Sequence, residues 1–208
     1  LGELFSDAGY ATAAFGKWHL GEVPGRLPID QGFDEWFGIK NSSDEAGYSS
    51  YKLFRESGYP EPQWWEGKKG APAQPAGVFD KKAKDLGDEK IAEHAVAFIQ
   101  EQARAKAPFF MYVAFFHIHP PMGVHPDFAG TSGGGLYADV LAEMDHRVGE
   151  ILDAIEAAGI GGNTIVVFSS DNATSPLKGA YPGGSNGPWR GDFFNPPYEG
   201  SYRVPAMV

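Results

Sequence analysis

Apolar positions in this chain gather into a few continuous runs and two helical stripes, with Gly, Pro and aromatics between them. Residues 1–8 place Leu1, Leu4 and Phe5 on one side of a short helix that Gly9 stops. YATAAF (10–15) has no charge and no breaker, which predicts a buried strand with GKWHLG as the loop leaving its C-terminal end. From Asp88, the spacing of Ile91, Ala95, Phe98 and Ile99 predicts an amphipathic helix ending near Arg104. PFFMYVAFF (108–116) predicts a second buried strand, running into HIHPPM. After the Gly-rich TSGGG (131–135), Val140, Leu141, Met144, Val148, Ile151, Leu152 and Ile155 form one stripe of a long helix, ended by Gly159 to Gly162. NTIVVFSS (163–170) predicts a third buried strand, followed by Asp171 and Asn172.

Residues 21–85 break this pattern. Their many Gly and Pro predict a long irregular surface excursion. Its aromatics, among them Trp36, Phe37, Tyr48, Tyr51, Trp64 and Trp65, would pin it to the body or form a substrate-facing wall. Elsewhere apolar strands alternate with helices, the pattern of an α/β sandwich with a largely parallel or mixed sheet covered by helices.

Three predicted strands end in polar clusters: Lys17 and His19, His117 and His119, Asp171 and Asn172. In open α/β sheets, ligands sit outside the carboxyl ends of the strands. Each cluster alone has an ordinary structural explanation, as a solvated loop lysine, strand-end packing, or an Asx turn or helix cap. Together they suit one chemistry. Asp171 and Asn172 are hard oxygen ligands of the kind Ca²⁺ or Mg²⁺ takes, though too few for a complete site. Lys17 is a point charge for a tetrahedral oxyanion. His19 and His119 could position a nucleophile or protonate a leaving oxygen. The combination suggests hydrolysis of a sulfate or phosphate ester.

Composition narrows the alternatives. Seventeen basic against 27 acidic residues give a net charge of −10, with no basic block, which argues against a nucleic-acid partner. An anionic substrate stays open, because a local cation or metal can dominate the field of a cleft. With no cysteine, disulfides, zinc thiolates and a Cys nucleophile are absent from the chain. No stretch reads as a signal peptide or a membrane span. The opening residues read as the end of a helix and RVPAMV stops within a strand pattern, so continuation into a longer protein is expected at both ends.

GYATAAFGKWHLG (9–21) resembles the second signature of the sulfatases, in the alkaline phosphatase superfamily. PFFMYVAFFHIHPP resembles the family's strand with its His-x-Pro, TIVVFSSDN its metal-binding strand end, and GPWRGDFFNPPYEGSYRVPAMV its later G-x-x-R-G and Y/L-E-G-x-x-R-x-P segment. Four segments in the right order over nearly the whole chain imply an alkaline-phosphatase-like fold, with residues 1–208 the central part of a catalytic domain. The resemblance implies that Lys17 binds sulfate oxygens, that His19 holds the hydrated aldehyde of a formylglycine nucleophile, and that His119 donates to the sulfate or the leaving oxygen. Asp171 and Asn172 would be two ligands of Ca²⁺, with Mg²⁺ the alternative; His117 has no clear family role and reads as supporting or structural. A sulfated small molecule or glycan is the implied substrate, and a periplasmic or extracellular place the implied location.

Three departures accompany it. The C/S-x-P-x-R motif that carries the formylglycine is absent; NGPWR (186–190) has the Pro and Arg spacing but Asn186 at the nucleophile position. That motif and a pair of metal-binding aspartates are expected upstream of Leu1, so these residues alone are expected to be inactive. The lysine that many members carry before the YEG segment is missing from GDFFNPPYEG, with Lys178 or Arg190 as substitutes. Ala173 stands where a glycine is usual, tolerable if the backbone there avoids positive φ. Two other readings stay open: a phosphonate or phosphodiester hydrolase of the same superfamily, and a non-catalytic protein that binds sulfated glycans.

Overall fold

The computed structural model describes residues 1–174, 183–193, 195 and 197–208. The chain divides into two compact units, Leu1–Gly159 and Ile160–Val208.

In the first unit, α1 (Gly2–Asp7) leads into β1 (Ala11–Lys17). β2 (Glu35–Ile39), α2 (Lys52–Ser57), β3 (Gln63–Lys68), β4 (Gln74–Val78) and α3 (Lys81–Asp85) follow. Then come α4 (Gly87–Ala105), β5 (Phe109–Ala114) and α5 (Leu136–Ala157). The sheet is mixed, in the order β4-β3-β2-β1-β5, with β1 parallel to both β2 and β5 and the β3 and β4 pairings antiparallel. This is the helix-flanked α/β architecture that the apolar runs predict.

β1 is central and buried on both faces, and its period of two sorts the core. Ala13 and Phe15 join Phe37, Ile39, Trp64 and, from α4, Ile91, Ala95 and Phe98. Ala14 joins Trp36 with Leu27, Ile29 and Phe33 on the opposite side. Small residues at Ala13 and Ala14 let the neighbouring layers approach closely, while each buried aromatic or aliphatic side chain contributes roughly 1.5–3 kcal/mol. On the second face Phe5 of α1 stacks on Phe110 of β5, with centroids 4.4 Å apart, while Leu1 and Leu4 stay exposed.

Three readings change. Residues 21–85 are not an irregular excursion: they hold β2, β3 and β4, three strands of the main sheet. Trp36, Phe37 and Trp64 are core, with Trp36 2% and Trp64 1% exposed, whereas Tyr48 and Trp65 are half-buried and Tyr51 is exposed. β3 is short and mixed in polarity, β4 is an exposed edge carrying Pro75 and Gly77, and the apolar run of β2 is only four residues, WFGI, set among Gly and Pro. The strand expected over 163–170 shrinks to β6 (Phe168–Ser169), paired antiparallel with β7 (Ala206–Met207) in a separate two-stranded sheet. Ile165 is 83% exposed rather than buried. Finally, α5 buries Asp139, Val140, Glu143, Arg147, Ala154 and Ile155, whereas Leu152 of the predicted stripe is 40% exposed. The inward face of α5 is therefore partly ionic, for a reason that lies at the end of β5.

Candidate active site

Lys17 is the last residue of β1, half-buried, opposite Ile39 of β2. Gly16 before it pairs with both Gly38 and Ala114. A Cβ on Gly16 would lie 2.0 Å from the Ala114 carbonyl oxygen, and the backbone there has φ +104°. Only glycine fits, and the close approach of three strands fixes where the Lys17 side chain leaves the sheet. The Trp18 and His19 N–H groups extend the β1–β2 ladder by donating to the Ile39 and Lys40 carbonyls at 3.0 Å each. His19 then turns the chain with φ +56°, a left-handed conformation that His adopts more readily than most residues, and its side chain is exposed. The segment 16–19 is thus a strand end and a turn, in place of the predicted loop.

β5 runs parallel to β1, so its C-terminal end emerges beside Lys17. The segment after it is held at several points. The carboxylate of Asp88, wholly buried at the start of α4, accepts the Phe116 N–H at 2.8 Å and the His117 N–H at 3.1 Å. The His117 ring, with its side chain 3% exposed, lies between Asp88 (Nδ1, 3.1 Å) and Glu143 of α5 (Nε2, 2.9 Å). Burial disfavours an imidazolium there, but the two carboxylates outweigh it and raise the pKa above the ordinary value. Burial likewise raises Asp88. For Glu143 the burial effect is overcome by the His117 ring, the His125 N–H at 2.8 Å and Arg147, and its pKa is lowered. Lys84 of α3, 2% exposed, donates to the His119 carbonyl at 2.6 Å. Burial brings that lysine down to about 7.

This clamp presents His119. Its N–H donates to the Phe116 carbonyl at 2.8 Å and its Nδ1 lies 2.7 Å from the Pro120 carbonyl oxygen. A carbonyl only accepts, so Nδ1 carries the proton and Nε2 is left for a ligand. Burial lowers the His119 pKa; the Pro120 carbonyl opposes this, and the positive charges of Lys17 and Lys84 add to it. The reach of the Lys17 charge to His119 places the two in one electrostatic neighbourhood beyond the C-terminal ends of β1 and β5, with His19 just beyond Lys17. Such a pair suits an anion: Lys17 attracts it, and an anion's charge favours the imidazolium whose Nε2–H can donate to it.

The second unit carries the other predicted residues. Asp171 is exposed and Asn172 half-buried, in a bend where the Ser170 hydroxyl donates to the Asn172 carbonyl at 2.9 Å. By donor chemistry both fit a hard cation, but two side chains cannot hold one. Among the described residues no group of three or more His, Asp or Glu is arranged to do so. Ala173 has no positive φ, so the backbone at that position tolerates a side chain. Arg190 is exposed, with its guanidinium 4.0 Å from the Tyr198 ring centre, in a small cleft with Gly191, Asp192 and Asn195. Lys178 lies outside the described residues. His117 is a structural group, as its position beside His119 allowed. Asp88, Lys84 and Glu143 escaped the sequence reading. A signal existed for Glu143: with Val140 and Arg147 it forms an i, i+3, i+7 row, a charged pair in step with a buried residue.

The chain is similar to known proteins along its whole length. The sulfatase family model matches residues 1–208. N-acetylgalactosamine-6-sulfatase of Mus musculus is 35% identical over 208 residues, which is all of this chain and 39% of that protein. Arylsulfatase G of Rattus norvegicus is 32% identical over a 230-residue alignment covering all of this chain and 43% of that protein. The chain thus spans about two fifths of the curated relatives it matches. A crystal structure of a sulfatase from Pseudoalteromonas sp. superposes with a TM-score of 0.89 at 27% identity, over 99% of this chain and 43% of that one. The crystal structure of Ps i-CgsB in complex with k-i-k-neocarrahexaose gives 0.76 at 25% identity, over 99% of this chain and 46% of that one. A family model matched from the first residue to the last, with relatives aligned over the whole of it, leads to one conclusion: the chain belongs to the sulfatase family.

Proposed function

We propose that this chain forms part of a sulfuric ester hydrolase, with Lys17, His19 and His119 at its sulfate end. The observation that carries the reading is the placement of Lys17 at the end of β1 and of His119 in the clamped segment that leaves the adjacent parallel strand β5, within reach of the Lys17 charge. In this role Lys17 holds the sulfate oxygens throughout the reaction and stabilises the charge that builds on them. His119, fixed by Asp88, Lys84 and the Pro120 carbonyl, donates from Nε2 to the leaving oxygen once the anion has favoured its protonated form. His19, on its left-handed turn, orients the nucleophile. Arg190 supplies a further cation to the substrate.

Asp171 and Asn172 would give two oxygen ligands to a Ca²⁺ or Mg²⁺ ion, which when bound polarises the sulfate oxygens. The family resemblance implies a formylglycine, supplied by a segment other than residues 1–208, as the source of the nucleophilic oxygen. Among organic groups, the similarity to an N-acetylgalactosamine-6-sulfatase and to a structure holding an oligosaccharide favours a sulfated glycan.

The test is turnover of an aryl sulfate and of the matching aryl phosphate by the full-length protein, with and without Lys17→Ala. Removing one group that stabilises an oxyanion costs roughly 10²–10³ in kcat, so the variant should lose sulfate turnover by at least that factor. Near-normal activity in Lys17→Ala would refute the placement, and a preference for the phosphate would move the protein to the phosphoester branch.

A further inference from the structure

Beside the strand ends that carry Lys17 and His19, the first unit has a cleft of about 340 Å³ to which no role has been assigned. Its walls include Glu22, Lys40, Glu45, Tyr48, Tyr59 and Trp65. Position links it to the sulfate end. Lys40 follows Ile39, the register partner of Lys17, and its carbonyl accepts the His19 N–H at 3.0 Å. Glu22 lies three residues beyond His19. The cleft thus opens from the same end of the β1–β2 pair as Lys17 and His19.

The lining has two chemistries. Tyr48, Tyr59 and Trp65 offer flat apolar faces, and Tyr59 is 74% exposed, an aromatic ring without cover. Between them stand carboxyl groups that accept hydrogen bonds in pairs. Glu45 is pushed up to about 7 by burial and by the charge of Glu22, so near neutral pH it both donates and accepts. The cation of the cleft, Lys40, rests over the Trp65 ring 3.1 Å from its centre. A sugar ring has apolar C–H faces and hydroxyls around its rim, which these groups match. A second sulfate would meet Glu22 and Glu45 with Lys40 already engaged.

We propose that this cleft is a subsite for an uncharged pyranose joined to the sulfated residue of the substrate, a proposal that rests on the sulfate end lying at Lys17 and His119. The protein then selects singly sulfated oligosaccharides over densely sulfated ones.

The experiment compares kcat/KM of the full-length protein on 4-nitrophenyl sulfate, on a disaccharide sulfated on one sugar, and on its counterpart with a sulfate on each sugar. Tyr59→Ala removes an exposed ring and leaves the core untouched; Glu45→Gln removes the carboxyl group and keeps its shape. Both variants should lose about tenfold on the monosulfated disaccharide, equivalent to one good contact, and stay within about twofold of wild type on the aryl sulfate. Wild type should prefer the monosulfated disaccharide to the disulfated one. Equal losses on aryl sulfate and disaccharide, no loss on either, or a preference for the disulfated substrate would each overturn the subsite. If wild type turns over none of the three, the sulfate assignment fails. Saturation-transfer NMR with the desulfated disaccharide then decides the cleft: transfer that Tyr59→Ala abolishes upholds it, and no transfer to wild type overturns it.

Discussion

At the scale of single residues, His119 is set up by charge as much as by contact. Burial and the neighbouring cations Lys17 and Lys84 hold its pKa below the ordinary imidazole value of 6.5. If its imidazolium is the proton donor, kcat/KM declines as pH rises through that lowered pKa, so the alkaline limb begins on the acid side of 6.5. Lys84→Met removes one like charge and should move the limb to higher pH in a pH–rate profile of the full-length protein. A limb that stays in place would assign it to another group. His19 makes a different prediction. Its left-handed backbone conformation suits Asn as well, so His19→Asn should keep the melting temperature within a degree or two while turnover falls at least about a hundredfold. A large fall in melting temperature would make His19 a structural residue.

Among elements, the segment after β5 is tied to three helices at once: to α4 through Asp88, to α5 through Glu143 and to α3 through Lys84. Breaking a buried ion pair by removing one partner costs about 3–5 kcal/mol. Asp88→Ala also frees two backbone N–H donors, so denaturant unfolding should register a loss of at least that size. The pH dependence follows from the raised pKa of His117. A pKa raised on folding means that the stabilisation is complete below the unfolded value near 6.5 and fades as pH rises through the folded value. Wild type should therefore lose stability relative to His117→Gln as pH climbs above 6.5; an unchanged difference across that range would show that His117 is neutral in the fold. The close strands impose a separate limit: Gly16→Ala forces a Cβ into the Ala114 carbonyl and should destabilise the sheet by at least about 1–3 kcal/mol.

For the whole molecule, the apolar surface makes the strongest statement. Ile165 is 83%, Val167 67% and Met207 59% exposed, all in the second unit. Exposed apolar groups promote association where they adjoin. The isolated 208-residue polypeptide should bind a hydrophobic dye and self-associate, and Val167→Lys should reduce both, by fluorescence and light scattering. If the polypeptide stays monomeric and dye-silent, those side chains are covered in solution. No helix among the described residues is long and apolar enough to cross a membrane.

The sequence alone determined the features that repeat locally or carry unusual chemistry. Unbroken apolar runs gave β1 and β5, a 3.6-residue period gave α4, and a lysine and histidines placed just after those runs marked the candidate site, because strand ends in an α/β sheet are where ligands are met. The remaining features depend on partners distant in the chain. β3 and β4 are too short and mixed to announce themselves, and become strands because β2, itself paired to β1, offers its free edge to β3 and β3 in turn offers one to β4. Asp88, Lys84 and Glu143 look like ordinary charges on helices until the segment after β5 folds between them. The inward turn of α5 reverses the apolar reading for the same reason: a buried imidazole held by two carboxylates outweighs a stripe of aliphatic side chains, and only proximity in space brings those three charges together.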